Sequence, residues 1–93
     1  MSAYADALRL IARRELSVAE CRARLLDRNH PAEDVEAALA RLVRDGALDD
    51  RRAAHAHART ALEVKGRGRV RVARELQERG IEREVAARAL ADV

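Results

Sequence analysis

A shift of 51 residues lays the second half of the chain over the first at the apolar positions of a helical pattern. The matched pairs are Cys21 with Val72, Leu25 with Leu76, Val35 with Ala86, Ala38 with Ala89, Leu39 with Leu90 and Leu42 with Val93. Two turns coincide as well, because Asn29 falls on Gly80 and Ser17 falls on Gly68. The pattern predicts two copies of one folding unit, over residues 1–46 and 47–93.

The composition indicates that each unit is helical. Alanine, leucine and valine supply most of the apolar side chains, with 21, 11 and 8 copies, and Tyr4 is the only aromatic residue. Strands favour aromatic and β-branched residues, whereas alanine, leucine, arginine and glutamate favour helix. We therefore predict an all-α fold of about six helices, arranged as tandem three-helix repeats with helix-turn-helix-like units and thin cores.

Local signals place the helices of the first unit. Ser2 can cap a first helix, and Ser17 with Glu20 forms a capping-box pattern that begins a second. Pro31 suits the first turn of a third helix, because its missing amide proton costs nothing there. That helix should end at Gly46, since a glycine in left-handed conformation commonly follows a helix C-terminus.

Similar signals divide the second unit into three further helices. Asp49 is the expected N-cap of a fourth helix that runs to about Val64. Gly66 and Gly68 interrupt the chain, and the fifth helix stops at Gly80. The sixth helix then continues nearly to the C-terminus.

Charge is distributed unevenly along the chain, although the formal net charge is only +3. Residues 27–50 carry seven acids against three arginines, whereas residues 51–74 carry eight basic residues against the single acid Glu63. An unneutralised basic segment favours a negatively charged partner. The candidate partner-binding or anion-binding residues are Arg51, Arg52, Arg59, Lys65, Arg67, Arg69, Arg71 and Arg74.

The sequence carries no pattern typical of an enzyme. Cys21 has no evident base, and no glycine loop ends in Lys-Ser or Lys-Thr to hold a phosphate. His55 and His57 point about 200° apart on a helix, so they cannot share a metal ion without other ligands. Asp49 and Asp50 are explained by helix capping and the helix dipole. We expect no catalytic activity, no cofactor, no metal and no small-molecule substrate.

The cellular setting follows from cysteine use and hydropathy. Cys21 shares a helical stripe with Val18 and Leu25, which predicts a buried thiol, and a lone cysteine cannot form an internal disulfide. The N-terminus lacks a signal-peptide pattern, and no stretch approaches the roughly 20 apolar residues that span a bilayer. We expect a soluble cytoplasmic protein without membrane contact.

The segment from Lys65 to Arg74 leaves two interpretations open. It can be a solvated face, or a surface for nucleic-acid phosphate or an acidic protein, since guanidinium groups pair bidentately with both. Without aromatic residues to stack on bases, any nucleic-acid contact should be to the backbone and sensitive to salt. For the protein as a whole, a further possibility is a purely structural interaction module whose partner packs on the alanine-rich fourth helix.

Several motifs, taken in order, resemble the RecX family of regulatory proteins. The matching stretches are Arg14–Ser17 with Glu20 and Cys21, Pro31–Leu39, Leu42–Ala53, Gly68–Val72, Glu75 with Leu76, and Arg79–Ile81. The family usually has three repeats, of which this chain would hold two. Ala47 and Ala53 replace aromatic residues of the family pattern, and Asn29 replaces a common turn glycine.

The resemblance implies a fold and a function. Members of the family are built from tandem three-helix repeats, which agrees with the 51-residue shift. The family implies a protein that lodges in the groove of RecA filaments on single-stranded DNA and restrains recombination and repair, with no activity or cofactor of its own. The alternative that remains is a small basic helical module that binds the nucleic-acid backbone directly.

Overall fold

The structure, a computed structural model, describes residues 1–93 and consists of helices and connecting turns without a strand. Contacts divide the chain into two units, Met1–Asp49 and Asp50–Val93. The division falls three residues after the expected one, because Ala47 and Leu48 pack into the core of the first unit. None of the helices has an apolar stretch of the length that a membrane span requires.

The first unit contains three helices that pack pairwise: α1 (Ala3–Arg13), α2 (Val18–Asp27) and α3 (Ala32–Arg44). Both predicted serine caps form. The Ser2 hydroxyl accepts from the Ala5 amide at 3.0 Å. Ser17 Oγ accepts from the Glu20 amide at 3.0 Å, and the Ser17 amide donates to Glu20 Oε1 at 2.9 Å, which completes the capping box.

The second unit repeats this arrangement with α4 (Asp50–Arg59), α5 (Arg69–Glu78) and α6 (Arg83–Asp92). The fourth helix was expected to run regularly to about Val64, but its last turn, Thr60–Val64, is a π-helix. The Lys65 amide donates to the Thr60 carbonyl five residues earlier at 3.0 Å, which is the π-helical spacing. The predicted length is therefore correct, and the local geometry differs.

The turns confirm the internal repeat. Asn29 has φ 68° and Gly80 has φ 81°, so matched positions after α2 and α5 both adopt the left-handed conformation. Glycine and asparagine are the residues that visit this conformation most readily. Gly46 has φ 79° beyond α3, as its predicted role requires. Pro31 lies immediately before α3 and not in its first turn.

Each unit has its own core. In the first, the fully buried side chains include Leu16, Cys21, Leu25, Val35, Leu42 and Leu48. In the second, Val72, Leu76 and Ile81 pack against six alanines, Ala53, Ala54, Ala58, Ala61, Ala86 and Ala89. The second core is therefore thinner, and its helices can approach each other closely.

Candidate anion-binding surface

All eight predicted basic residues belong to the second unit, but they divide into groups with different surroundings. Arg51, Arg52 and Arg59 lie on α4, and Lys65 and Arg67 lie in the connection to α5. The remaining three, Arg69, Arg71 and Arg74, lie on α5. The charge along the sequence is thus distributed over two helices and the loop between them.

Glu75 neutralises part of the basic segment. Its Oε2 lies 3.0 Å from Arg67 Nη1 and 3.3 Å from Arg71 Nε, and its Oε1 lies 3.0 Å from His57 Nε2. The hydrogen bond from His57 and the charge of Arg67 lower the pKa of the Glu75 carboxyl. Arg67 and Arg71 are therefore bound within the unit and present less free charge than their sequence suggests.

Arg69 acts as a structural link between α5 and the end of α6. Its guanidinium donates to the carbonyl of Leu90 and, at 3.1 Å, to the carbonyl of Val93. The last carbonyls of a helix have no partner within the helix and carry partial negative charge. The side chain is thus an internal cap, which leaves fewer of its donors available to a partner.

Three of the predicted residues remain exposed, and their side chains make no ion pair or hydrogen bond: Arg59, Lys65 and Arg74. Arg51 and Arg52 are exposed too, although each also interacts with other groups of the protein. An exposed guanidinium without a carboxylate can bind an anion without first breaking an internal contact. These three residues are the free cations of the basic segment.

A groove of about 780 Å³ lies between α4 and α6. Its rim carries four arginines, Arg51, Arg52 and Arg59 from α4 and Arg88 from α6, and His55 also lines it. Its apolar lining comes from Ala56, Val85 and Ala89, and Glu84 and Asp92 line it as well. Three of the eight predicted residues therefore border one concave surface.

Sequence reasoning missed Arg88, Glu75 and the groove. The basic segment, residues 51–74, ends one residue before Glu75. Arg71 and Glu75 nevertheless have the i, i+4 spacing of a helical ion pair. Arg88 lies outside this segment and reaches the groove only because α6 packs beside α4. Counting charge along the chain cannot detect either relationship, because both depend on helix geometry.

The first unit contains a buried acidic residue that the sequence did not reveal. Asp6 on α1 is 3% exposed, and its Oδ2 lies 2.6 Å from Arg28 Nε and 2.7 Å from His30 Nε2. Because a carboxylate only accepts, His30 must donate from Nε2. The hydrogen bonds from Arg28 and His30 lower the pKa of Asp6 to about 2. The group holds the turn after α2 against α1.

The other residues considered for chemistry lie apart from each other. His55 lines the groove, whereas His57 bonds to Glu75. Cys21 is fully buried, as its helical stripe predicted, and burial raises the pKa of its thiol. No group of three histidine, cysteine, aspartate or glutamate side chains is placed to hold a metal ion.

These features define a class of protein: a tandem three-helix repeat protein whose second repeat carries a cationic groove. Residues 3–42 match the family model described as RecX, first three-helix domain, and residues 49–90 match the model described as RecX, second three-helix domain. The chain therefore belongs to the RecX family.

Two curated relatives show the extent of the similarity. The regulatory protein RecX of Chromohalobacter salexigens is 39% identical over 85 residues, which cover 91% of this chain and 55% of that protein. The regulatory protein RecX of Halorhodospira halophila is 41% identical over 75 residues, covering 81% of this chain and 46% of that protein. The chain spans about half the length of these relatives.

Proposed function

We propose that this protein acts in the cytoplasm as a non-enzymatic regulator that binds RecA nucleoprotein filaments and inhibits recombination and DNA repair. The proposal combines membership of the RecX family with the function that the family resemblance implies. Regulation by binding requires a recognition surface and no reacting group.

The observation that carries the proposal is the positive charge of the second unit, in which eleven arginine and lysine residues face seven acids. Arg59, Lys65 and Arg74 are exposed and unpaired, and Arg59 also borders the groove. A filament on single-stranded DNA offers negative charge from both phosphates and acidic side chains. Guanidinium groups pair with either, because carboxylate and phosphate oxygens fit the same fork of donors.

The same free cations favour direct binding to the DNA backbone as a second candidate function. Lysine and arginine contacts to phosphate release counterions, so that this binding would weaken steeply with salt. The protein has no tryptophan or phenylalanine and one tyrosine, which leaves little for base stacking. The two candidates differ in whether RecA is needed.

A co-sedimentation experiment separates the two candidates. The protein is mixed with RecA filaments formed on single-stranded DNA, with RecA alone and with DNA alone, each at moderate and high salt. We expect capture by the filament to exceed capture by bare DNA clearly, and strand exchange to slow as the protein is added. Equal capture by bare DNA would support the second function instead.

Charge reversal then tests the surface. The variant Arg59→Glu, Lys65→Glu, Arg74→Glu should lose filament binding while its far-UV circular dichroism remains helical, because these side chains make no internal ion pair. The matched control, Arg13→Glu, Arg24→Glu, Arg44→Glu, changes the net charge equally on exposed positions of the first unit. Equal loss in both variants would show that only total charge matters, against a specific surface.

A further inference from the structure

The groove between α4 and α6 combines two properties that rarely coincide on a solvated helical face. Its lining includes the apolar residues Ala56, Val85 and Ala89 together with four arginines. Its volume of about 780 Å³ is in the range of sites that accept a ligand or several side chains. The surface is therefore suited to a partner that is both apolar and negatively charged.

The first unit shows what fills the matching place there. The 51-residue shift lays His55 over Tyr4 and Asp92 over Arg41. In the first unit the Tyr4 ring packs against the core, and the Arg41 guanidinium lies 3.8 Å from the ring centroid. His55 and Asp92 both line the groove of the second unit. The second unit thus lacks the aromatic side chain that occupies the corresponding place in the first.

The charges of the rim are also particular to the second unit. Arg59 corresponds to Leu8 of the first unit, and Arg88 corresponds to Ala37. The second unit thus has His55 in place of a half-buried tyrosine and has arginines in place of Leu8 and Ala37, although Asp92 stands in place of Arg41. Both differences favour the same occupant, one that brings an apolar group and negative charge from outside.

We propose that the α4–α6 groove binds an acidic protein segment, which inserts one large apolar side chain over Val85 and Ala89 and places its carboxylates on Arg59 and Arg88. This inference rests on the proposed function for the identity of the protein that supplies the segment. The inserted side chain takes the role that Tyr4 has in the first unit. Buried anchors of this kind, with charged residues around them, dominate the energetics of many interfaces.

The lining of the groove favours a protein segment over a nucleic-acid backbone. A phosphate backbone has no large apolar group to cover the alanine and valine side chains of the lining. Glu84 and Asp92 also line the groove and would repel a continuous row of phosphates. A peptide can avoid both problems, because its charges alternate and its side chains differ from one position to the next.

The absence of tryptophan from this protein gives a direct measurement. The probe is a synthetic helical peptide that is rich in glutamate and carries one central tryptophan. With excitation at a wavelength selective for tryptophan, only the peptide fluoresces. We expect a blue shift on titration with the full chain, since the indole would leave water for the groove. Two further peptides serve as competitors, one with tryptophan replaced by alanine and one with the glutamates replaced by glutamine. Both should compete poorly.

Variants of the protein test whether the groove is the site. His55→Tyr should fill the groove as Tyr4 fills its counterpart, and should weaken peptide binding about tenfold. Ala56→Leu fills the same space from an exposed position and provides a second test that does not disturb the core. Arg88→Glu should also weaken binding about tenfold through charge repulsion. The control Arg83→Glu changes an exposed arginine of the same helix outside the groove and should leave binding within about twofold.

The results separate this inference from the proposed function. Loss of peptide binding in the filled and charge-reversed variants, with retention in Arg83→Glu, would support the groove. No blue shift, equal competition by the alanine peptide, or displacement by a thymidine oligonucleotide would overturn it. Filament capture that persists unchanged in His55→Tyr and Ala56→Leu would also overturn it while the proposed function stands. Peptide binding without filament capture by the unaltered protein would reject the proposed function alone.

Discussion

Asp6 in the first unit and His57 in the second occupy equivalent positions of the repeat. The acid Asp6 is bound to basic side chains, whereas the base His57 is bound to an acid. Asp6 accepts hydrogen bonds from Arg28 and His30, whereas His57 bonds to Glu75 at 3.0 Å. In both units a polar position on the first helix is thus bound to a residue on or just after the second. The partners are not at equivalent positions, because Glu75 corresponds to Arg24 and not to Arg28 or His30.

The Asp6 group should make stability sensitive to acid. The pKa of Asp6 falls from 3.8 to about 2 on folding, so the folded state holds its proton less tightly than the unfolded state. The stabilisation from Asp6 is complete above pH 3.8, declines below it and is lost as pH falls through about 2. Its full size is about 2 kcal/mol, from the shift of somewhat less than two pH units. Urea unfolding followed by circular dichroism between pH 7 and pH 2.5 measures it.

Substitution separates Asp6 from the other acids. Asp6→Asn should lose about 2 kcal/mol of unfolding free energy at pH 7, and the difference from the unaltered protein should shrink as the pH is lowered. Asp27→Asn, at an exposed position near the end of α2, should differ by less than about 0.5 kcal/mol at any pH. A constant difference between Asp6→Asn and the unaltered protein across the range would contradict the assigned cause.

The helices can be predicted from the sequence, but the polar contacts between distant residues cannot. The 51-residue repeat predicted the matched turns at Asn29 and Gly80. The capping box at Ser17 could be predicted because its two partners are three residues apart. The bonds from Asp6 to Arg28 and His30 join residues 22 and 24 positions apart, and no local pattern encodes them.

The groove can be predicted from the sequence in part, whereas these contacts cannot. Laying the repeats over each other sets Tyr4 against His55 and Leu8 against Arg59, which already indicates that the two units differ on one face. What the sequence could not give is the packing of α4 beside α6, which brings Arg88 to the same surface as Arg59. Helix pairing depends on which stripe each helix buries and on the thin side chains between them.

Glu75 should restrain the basic segment, so its removal should strengthen non-specific anion binding. In Glu75→Gln the charge that holds Arg67 and Arg71 is lost, and both guanidinium groups become available to phosphate. We expect tighter binding to single-stranded DNA and a steeper dependence on salt. The slope of log K against log salt should rise in magnitude by an amount that corresponds to about one to two additional phosphate contacts. Fluorescence anisotropy with a labelled oligonucleotide over a salt series measures both quantities.

A nearby acid provides the control for this experiment. Glu78 is exposed at the end of α5 and makes no ion pair, so Glu78→Gln changes the net charge equally without releasing an arginine. If both variants gained the same affinity and slope, the effect would come from net charge alone and the restraint by Glu75 would be refuted.

Cys21 should be unreactive until the first unit unfolds. The thiol is fully buried, and burial raises its pKa, which lowers the fraction of reactive thiolate. Labelling with a thiol reagent should be slow in buffer and fast in urea. The repeat supplies the matched variants, because Val72 occupies the corresponding place: Cys21→Val should change the unfolding free energy by less than about 1.5 kcal/mol. Cys21→Ser should cost about 1–3 kcal/mol, since it buries a hydroxyl without an assured partner.

The repeat also identifies a position where a helix cap is missing. Ser17 caps α2, but the equivalent Gly68 precedes α5 with no side-chain hydrogen bond. Gly68 already has the extended backbone of an N-cap, with φ −75° and ψ 157°, and a Cβ there would meet no atom within 4 Å. Gly68→Ser should therefore raise the unfolding free energy by about 0.5–1 kcal/mol, by capping α5 and by restricting the unfolded chain.

Gly66 gives this prediction a control only two residues away. It has φ 67°, which a serine adopts only with strain, although space around it is equally open. Gly66→Ser should therefore lower the unfolding free energy by about 1 kcal/mol, the opposite sign from Gly68→Ser. Thermal and urea unfolding of the two variants decide the matter, because their composition is identical and only the backbone conformation at the substituted position differs. Equal effects in both would mean that capping and backbone strain do not control the stability of this loop.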